Sequence, residues 1–173
     1  TIDVSAGVLY ARRPGTETAV YPLRIPHIRT NVTITGQLAV THVDEEFFNP
    51  ENLELEGFYV FQLPQGATVD GLWMWVDGVR LTFAVKRKED ASKLYDSLVE
   101  HNVGDPAILQ SLGSNRFQLK IFPIKPGTGR RIELEYFQTL PLDGAGNTRY
   151  VYPMNIADYQ ATQWSVTVTI KAT

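Results

Sequence analysis

The sequence predicts a mainly β fold, an antiparallel β-sandwich of about ten strands with one inserted α-helix. Short runs of alternating apolar and polar residues recur along the chain, and Gly, Pro and Asp separate them at turn positions. A helical spacing of apolar residues is convincing only at residues 89–101. A chain of 173 residues has the length of one domain with a proper core, so we predict a single domain over residues 1–173.

The central strand is predicted at residues 54–64, ELEGFYVFQLP. The four residues from Phe58 to Phe61 are all aromatic or β-branched, which is typical of a strand with apolar neighbours on both faces. Pro64 removes a backbone donor and ends the strand. Side chains predicted to lie in the core are those of Tyr59, Phe61, Leu63, Phe117, Leu119, Ile132 and Leu134.

Two glycines in alternating runs predict local backbone geometry. Asp77-Gly78 stands between two strand-like runs and predicts a hairpin, because both central residues of a type I′ turn need positive φ. Gly36 lies inside the long alternating run 31–46, where we predict a bulge that shifts the inward face by one residue. A last strand is predicted where Trp164, Val166, Val168 and Ile170 alternate with polar residues.

The inserted helix is predicted from a single apolar stripe. Ala91, Leu94, Tyr95 and Leu98 are spaced at i, i+3, i+4 and i+7, which places them on one helical face. The acidic residues at its start and the histidine at its end suit the helix dipole. We expect this stripe to cover a sheet or a sheet edge.

Composition excludes several functions. The formal charge is −3 and the pI is about 5.6, so the chain lacks the basic character of a nucleic-acid-binding protein. No apolar run approaches the ~20 residues that cross a bilayer. The absence of cysteine excludes thiolate catalysis, disulfides and cysteine zinc sites. Because the sequence begins at Thr1 without Met, we expect a mature or excised piece of a longer protein.

His42, Asp44 and Glu46 are the residues that most resemble metal ligands, because they share one face of a predicted strand. The polar, solvent-facing side of that strand explains them better, so we predict no metal, no cofactor and no catalytic residues. The adjacent carboxylates Glu45-Glu46 and the pair Glu133/Glu135 leave a hydrolase fragment as a weak alternative. Such a hydrolase would need a cleft and a carboxyl group of raised pKa, which no sequence feature indicates.

Trp73 and Trp75 are the candidate partner-binding residues. They share a strand face and lie ~7 Å apart along the strand. On an exposed face they would form a stacking surface for a sugar or an anchor for a protein partner. Because Leu72 and Met74 compete for the inner side, the choice is close, and we favour packing in the core or between elements.

The chain resembles the vault protein inter-α-trypsin (VIT) domain family over residues 30–153. The similarity is carried by Phe47, Asn49-Pro50, Glu56, Tyr59, Phe61, Leu63-Pro64, Ala67 and Val69, which follow the family's core motif, with Gln62 where the family usually has proline. It continues through Lys88, Ala91 and Tyr95 of the predicted helix and the turn Ile124–Gly127. Arg149–Pro153 resembles the strand that closes the module.

The resemblance implies a non-enzymatic protein-interaction or structural module, usually found next to a von Willebrand A domain. Its partners would be that domain and protein ligands, and the protein would be extracellular, on the cell surface or periplasmic, although intracellular members exist. Asn31-Val32-Thr33 would then be an N-glycosylation sequon. The alternative function is a carbohydrate-binding sandwich that uses Trp73 and Trp75. The ligand and the oligomeric state stay open.

Overall fold

The computed structural model describes residues 8–17, 20–83, 85–87, 107–155, 157 and 160–172. These residues form eleven strands: β1 (Val8–Arg12), β2 (Ile25–Thr35), β3 (Leu38–Phe48), β4 (Leu55–Gln62), β5 (Thr68–Val76), β6 (Val79–Phe83), β7 (Val85–Arg87), β8 (Ala107–Gly113), β9 (Arg116–Ile124), β10 (Gly129–Thr139) and β11 (Ala161–Lys171). The predicted mainly β class is confirmed. The predicted helix at residues 89–101 lies outside the described residues. No helix within the described ranges is long and apolar enough to cross a membrane.

The strands form two sheets. The small sheet has the order β1-β4-β9-β8-β7, and the large sheet has the order β11-β2-β3-β10-β5-β6. Most neighbouring strands are antiparallel, but β11 pairs parallel to β2 and β7 pairs parallel to β8. The expectation of antiparallel pairing throughout is therefore wrong. A parallel pair needs a crossover of about a dozen or more residues, and residues 88–106 between β7 and β8 supply a connection of that length.

One apolar core joins the two sheets. Along β4 every residue except Gln62 is buried, as the unbroken apolar run predicts for a strand between other elements. The rings of Phe47 in the large sheet and Tyr59 in the small sheet lie 5.6 Å apart, centroid to centroid. Six of the seven predicted core residues are buried: Tyr59, Phe61, Leu63, Leu119, Ile132 and Leu134. Phe117 is half-buried and packs its ring 6.1 Å from that of Phe61.

The two glycine predictions have opposite outcomes. Asp77 and Gly78 have φ of 48° and 79° and connect β5 to β6, which confirms the predicted hairpin. Gly36 has φ of 58° and lies in the turn between β2 and β3, so residues 31–46 belong to two strands and the predicted bulge is wrong. Thr35 of β2 pairs with Leu38 of β3 immediately beside the turn. The next pair, Ile34 and Ala39, therefore shares the inner face of the sheet.

Residues 149–153 contain no strand, contrary to the expectation of a closing strand. They supply tyrosine side chains to the inner face of the large sheet. The Tyr150 hydroxyl lies 2.9 Å from Thr41 Oγ1, and the Tyr152 hydroxyl lies 3.2 Å from Thr30 Oγ1. Tyr150 also packs on a second, smaller apolar cluster, whose buried members are Val32, Ile34, Ala39 and Leu140.

We predict that Phe61→Ala lowers the free energy of unfolding by about 3–5 kcal/mol, because it empties a buried aromatic site. Phe137→Ala is the matched control, since that ring is 36% exposed on the large sheet. The control should change stability by less than about 1 kcal/mol. Urea unfolding of both variants measures the difference, and equal losses would contradict the position of β4 in the core.

Candidate functional site

The outer face of the large sheet, turned away from the core, holds the candidate site. Side chains alternate along a strand, so the burial of Leu72 and Met74 on β5 directs Trp73 and Trp75 to the opposite face. The same rule places His42, Asp44 and Glu46 of β3 on that face, because Val43 and Phe47 point into the core. We call the set formed by these residues with Arg80, Arg131 and Glu133 the outer cluster.

Trp73 packs against a glycine and an arginine. Its ring lies against Gly71, where an added Cβ would overlap the indole. The Arg80 guanidinium lies over the ring, 4.0 Å from the ring centroid. Because a cation over an indole face is favourable, this contact favours one orientation of the ring and covers one of its faces.

Trp75 is fixed in a similar way by β10. The Arg131 guanidinium lies 4.7 Å from its ring centroid, and the indole Nε1 donates a hydrogen bond to Glu133 Oε1. Both tryptophans are half-buried. Of the two kinds of packing that the sequence analysis favoured, packing in the core is therefore wrong, whereas packing between elements agrees with the contacts to Arg80 and Arg131 on the neighbouring strands. Leu72 and Met74 take the inner side, and the absence of a side chain at Gly71 leaves room for the Trp73 ring on the outer one.

Glu133 is the central acceptor of the outer cluster. Its carboxylate accepts hydrogen bonds from Trp75 and from Arg80, the latter at 2.7 Å. His42 Nε2 lies 3.2 Å from Glu133 Oε2, and Arg131 lies 3.5 Å from Glu133 Oε1. A buried carboxylate needs such partners, because an isolated charge away from water is costly.

Asp44 is the second buried acid of the outer cluster. Arg131 donates two hydrogen bonds to its oxygens, from Nε at 2.8 Å and from a terminal nitrogen at 3.0 Å. Burial opposes ionisation of this carboxyl group, but the hydrogen bonds and positive charge of Arg131, with a contribution from His27, lower its pKa below the usual value. Asp44 is therefore held as a carboxylate.

His42, Asp44 and Glu46 share one face as predicted, but they do not converge on one point: His42 contacts the glutamates of β10, whereas Asp44 and Glu46 both lie near His27. His42 lies 3.2 Å from Glu133 and 3.3 Å from Glu135, and Glu46 lies 3.5 Å from His27. In the part of the chain that the structure describes, no group of three or more histidine, aspartate or glutamate side chains could hold a metal ion.

The two carboxylate pairs considered for hydrolysis differ in their arrangement. Glu45 points inward and is buried, whereas Glu46 lies on the outer face, so these neighbours are on opposite sides of the sheet. Glu133 and Glu135 do share a face, and His42 lies between them. The third histidine, His101, lies outside the described residues.

Sequence reasoning missed the arginines of the outer cluster and the role of Gly71. The period of two could have placed Arg131 beside Glu133 and Gly71 beside Trp73 on the same faces. The contacts between strands depend on the pairing register. Trp75 of β5 pairs with Arg131 of β10 along one edge and with Arg80 of β6 along the other. These registers cannot be predicted from the residues of one strand alone.

We predict that Gly71→Ala displaces the Trp73 ring, because the new methyl group would overlap it. The overpacking should cost about 1–3 kcal/mol and shift the tryptophan fluorescence of the folded protein. Gly144→Ala is the control, since an added Cβ there meets no atom within 4 Å. Unchanged fluorescence in Gly71→Ala would contradict the position of the Trp73 ring against Gly71.

We predict that Asp44→Asn destabilises the domain at pH 7 by about 1–3 kcal/mol, because Arg131 loses a charged acceptor. A carboxyl group with a lowered folded pKa stabilises the protein above its unfolded pKa, and that contribution disappears as pH falls through the folded value. The stability difference from wild type should therefore shrink as pH falls below about 4.

Chemical denaturation across pH measures this difference. Asp70→Asn, at an exposed position of β5, controls for the loss of one negative charge. A difference between wild type and Asp44→Asn that stays constant down to acid pH would show that the Asp44 charge does not contribute.

The family comparison agrees with the sequence motifs. The model of the vault protein inter-alpha-trypsin domain matches residues 25–136. Among curated relatives, von Willebrand factor A domain-containing protein 5A from Homo sapiens is 27% identical over 135 residues, which are 76% of this chain and 17% of the relative. The protein of the same name from Rattus norvegicus is 25% identical over 129 residues, 73% of this chain and 16% of the relative. This chain thus spans a minor part of the relatives' length.

Similar solved structures are more distant. The M1 zinc metallopeptidase from Deinococcus radiodurans is 13% identical with a TM-score of 0.40, covering 87% of this chain and 32% of that structure. The E323A mutant of a two-domain M1 zinc metallopeptidase bound to L-arginine gives 15% identity and a TM-score of 0.41 with the same coverage. Similarity at this level carries no functional argument. The family model covers most of the chain and includes β2, the central strand β4 and most of β10. The chain belongs to the vault protein inter-alpha-trypsin domain family.

Proposed function

We propose that this chain is a non-enzymatic protein-interaction module of an exported or cell-surface multidomain protein, and that it works beside a von Willebrand A domain. The observation that carries the proposal is family membership together with relatives named for a von Willebrand A domain. Because the matched region is only 17% of the human relative, most of that protein lies outside the similarity. A neighbouring von Willebrand A domain is the partner that this arrangement favours.

A non-catalytic role fits the chemistry of the outer cluster. Its buried acids, Asp44 and Glu133, are already engaged by arginine, histidine and indole groups. A general acid donates a proton to the substrate and a general base accepts one, so either group must be able to form a hydrogen bond with the substrate. The ionic contacts instead hold the side chains of this face in place.

The contact surface that we propose is centred on Trp73 and Trp75 with the arginines that cover them. Tryptophan and arginine are the residues most enriched among binding hot spots. Fixed side chains also lose little conformational entropy on binding. Arg80 and Arg131 keep 39% and 41% of their side-chain surface exposed, so their remaining N–H groups can reach acceptors on a partner.

The same arrangement disfavours the carbohydrate-binding alternative. A sugar ring stacks on an open aromatic face, but the Arg80 guanidinium lies over the Trp73 ring, and the ring also lies against Gly71. A sugar would have to displace Arg80 from both the indole and Glu133. A protein partner can instead bind the guanidinium groups where they stand.

The first experiment is to sequence the gene that encodes this chain. We expect a von Willebrand A domain to be encoded in the same reading frame, and its absence would remove the proposed neighbour. Fractionation of the source cells with an antibody against this chain tests the exported or cell-surface setting. Recovery of the protein only from the cytosolic fraction would contradict that part of the proposal.

The second experiment measures binding of this chain to the separately purified von Willebrand A domain by calorimetry. We predict that Trp73→Ala weakens binding at least about tenfold, as loss of a hot-spot residue does. Phe137→Ala is the control, because it removes an exposed aromatic ring elsewhere on the large sheet.

Three outcomes would contradict the proposed surface or partner. Equal affinities of the wild type and Trp73→Ala would place the contact elsewhere, and no binding by either would remove the partner. Binding to a glycan array that is lost in Trp73→Ala would favour the carbohydrate alternative.

A further inference from the structure

Strand β11 is exposed to an unusual degree for its length. It pairs with β2 along one side, and among the described strands none pairs with its other side. Every residue of β11 is exposed except Ala161 and Val166, which are half-buried. An edge strand with unpaired backbone groups is a template for a further strand.

The face of β11 that points to the inner side of the large sheet is apolar. Val168 is 47% exposed and Ile170 is 77% exposed, although their neighbours on β2 are buried. This row continues into an open groove against Ile34 and Tyr150. Within the part of the chain that the structure describes, Val168 and Ile170 are therefore exposed to solvent.

Charged residues are sparser on β11 than on the other edge strands. Edge strands of soluble proteins commonly carry lysine or arginine, which disfavours pairing with other chains. Here β1 contains Arg12, β6 contains Arg80, and β7 contains Lys86 and Arg87. The one charged residue of β11 is Lys171, at its last position. Ten consecutive residues of this edge are therefore free of charge.

We propose that β11 pairs antiparallel with β11 of a second copy, so that the two large sheets become one continuous sheet. Full overlap of the strands places Val166 on the two-fold axis. Trp164 then lies opposite Val168 of the second copy, and Ser165 lies opposite Thr167. In the middle of the strand Trp164, Val166 and Val168 thus meet apolar residues and Ser165 meets a threonine, as favourable cross-strand pairs require. Towards the ends Ile170 lies opposite Thr162.

The charge pattern of β11 permits pairing with a second copy. In this register Lys171 lies opposite Ala161, so the two lysines are at opposite ends of the interface and do not repel each other. The symmetric arrangement is isologous, since the same strand serves both sides. It adds backbone hydrogen bonds along eleven residues and covers part of the apolar row.

The test uses the whole chain and a matched pair of double variants. Sedimentation equilibrium of the wild type should show a reversible dimer at high micromolar concentration. Ser165→Lys with Thr167→Lys places introduced lysines opposite each other twice, because the two-fold axis repeats the pair. The dissociation constant should rise by about tenfold or more.

Ser165→Glu with Thr167→Lys is the charge-complementary control. It changes the same two exposed positions but sets opposite charges across the axis, so it should dimerise at least as well as wild type. Circular dichroism and melting temperature report whether each variant folds. This pair of variants tests the register as well as the strand, because only the proposed overlap places residue 165 opposite residue 167.

A monomeric wild type at high micromolar concentration would overturn the proposal, and so would equal dimerisation of both double variants. If the double lysine variant does not fold, hydrogen exchange of the wild type decides. The backbone amides of β11 should then become more protected as concentration rises, and protection independent of concentration would also overturn it. None of these outcomes depends on whether a von Willebrand A domain binds the outer cluster.

Discussion

The two faces of β10 organise the large sheet. Its even-numbered residues Ile132, Leu134 and Tyr136 are buried in the core, while Arg131 and Glu133 anchor the outer cluster. Because the side-chain period of a strand is two, a register slip of one residue would exchange these rows. Such a slip would move two charged groups into the apolar core and three large buried side chains to the outer face. The pairing register of β10 with β3 and β5 is thus determined by the residues on both of its faces.

The outer cluster shows how a sheet face can be polar and still well ordered. An isolated ion pair on a surface stabilises little, and a buried one can cost more in desolvation than it returns. Here Arg131 contacts Asp44, Glu133 and the Trp75 ring, so one guanidinium offsets the burial of two carboxylates. We infer that these contacts matter mainly for the orientation of the tryptophans.

Sequence alone predicted most of what depends on local patterns. The alternation in β9, β10 and β11, the apolar run of β4 and the Asp77-Gly78 hairpin are all set by neighbouring residues. The role of Gly36 was ambiguous in the sequence, because a glycine with positive φ occurs both in a bulge and in a two-residue turn. The parallel pairing of β11 with β2 could not be read from the sequence, since it depends on where a long connection returns the chain.

The tryptophan pair was undecidable for a related reason. On β5, the residues of both faces are large and apolar, and only the neighbouring strands determine which row the core accepts. Gly71 was the available signal, because it clears a space two residues before Trp73 on the same face. The sequence thus named Trp73 and Trp75 as candidate partner-binding residues but could not decide which side of the sheet they occupy.

The outer cluster and the β11 edge are separate surfaces of one sheet. Between β11 and β5 lie β2, β3 and β10, so about 19 Å separate the free edge from the tryptophans at the usual spacing between strands. A partner bound on the outer face would approach perpendicular to the sheet, whereas a strand added at the edge would lie in its plane. Because these directions differ, the two contacts need not compete. A two-fold assembly through β11 would present two outer clusters at once, and two linked sites bind a repeated partner more tightly than one site does.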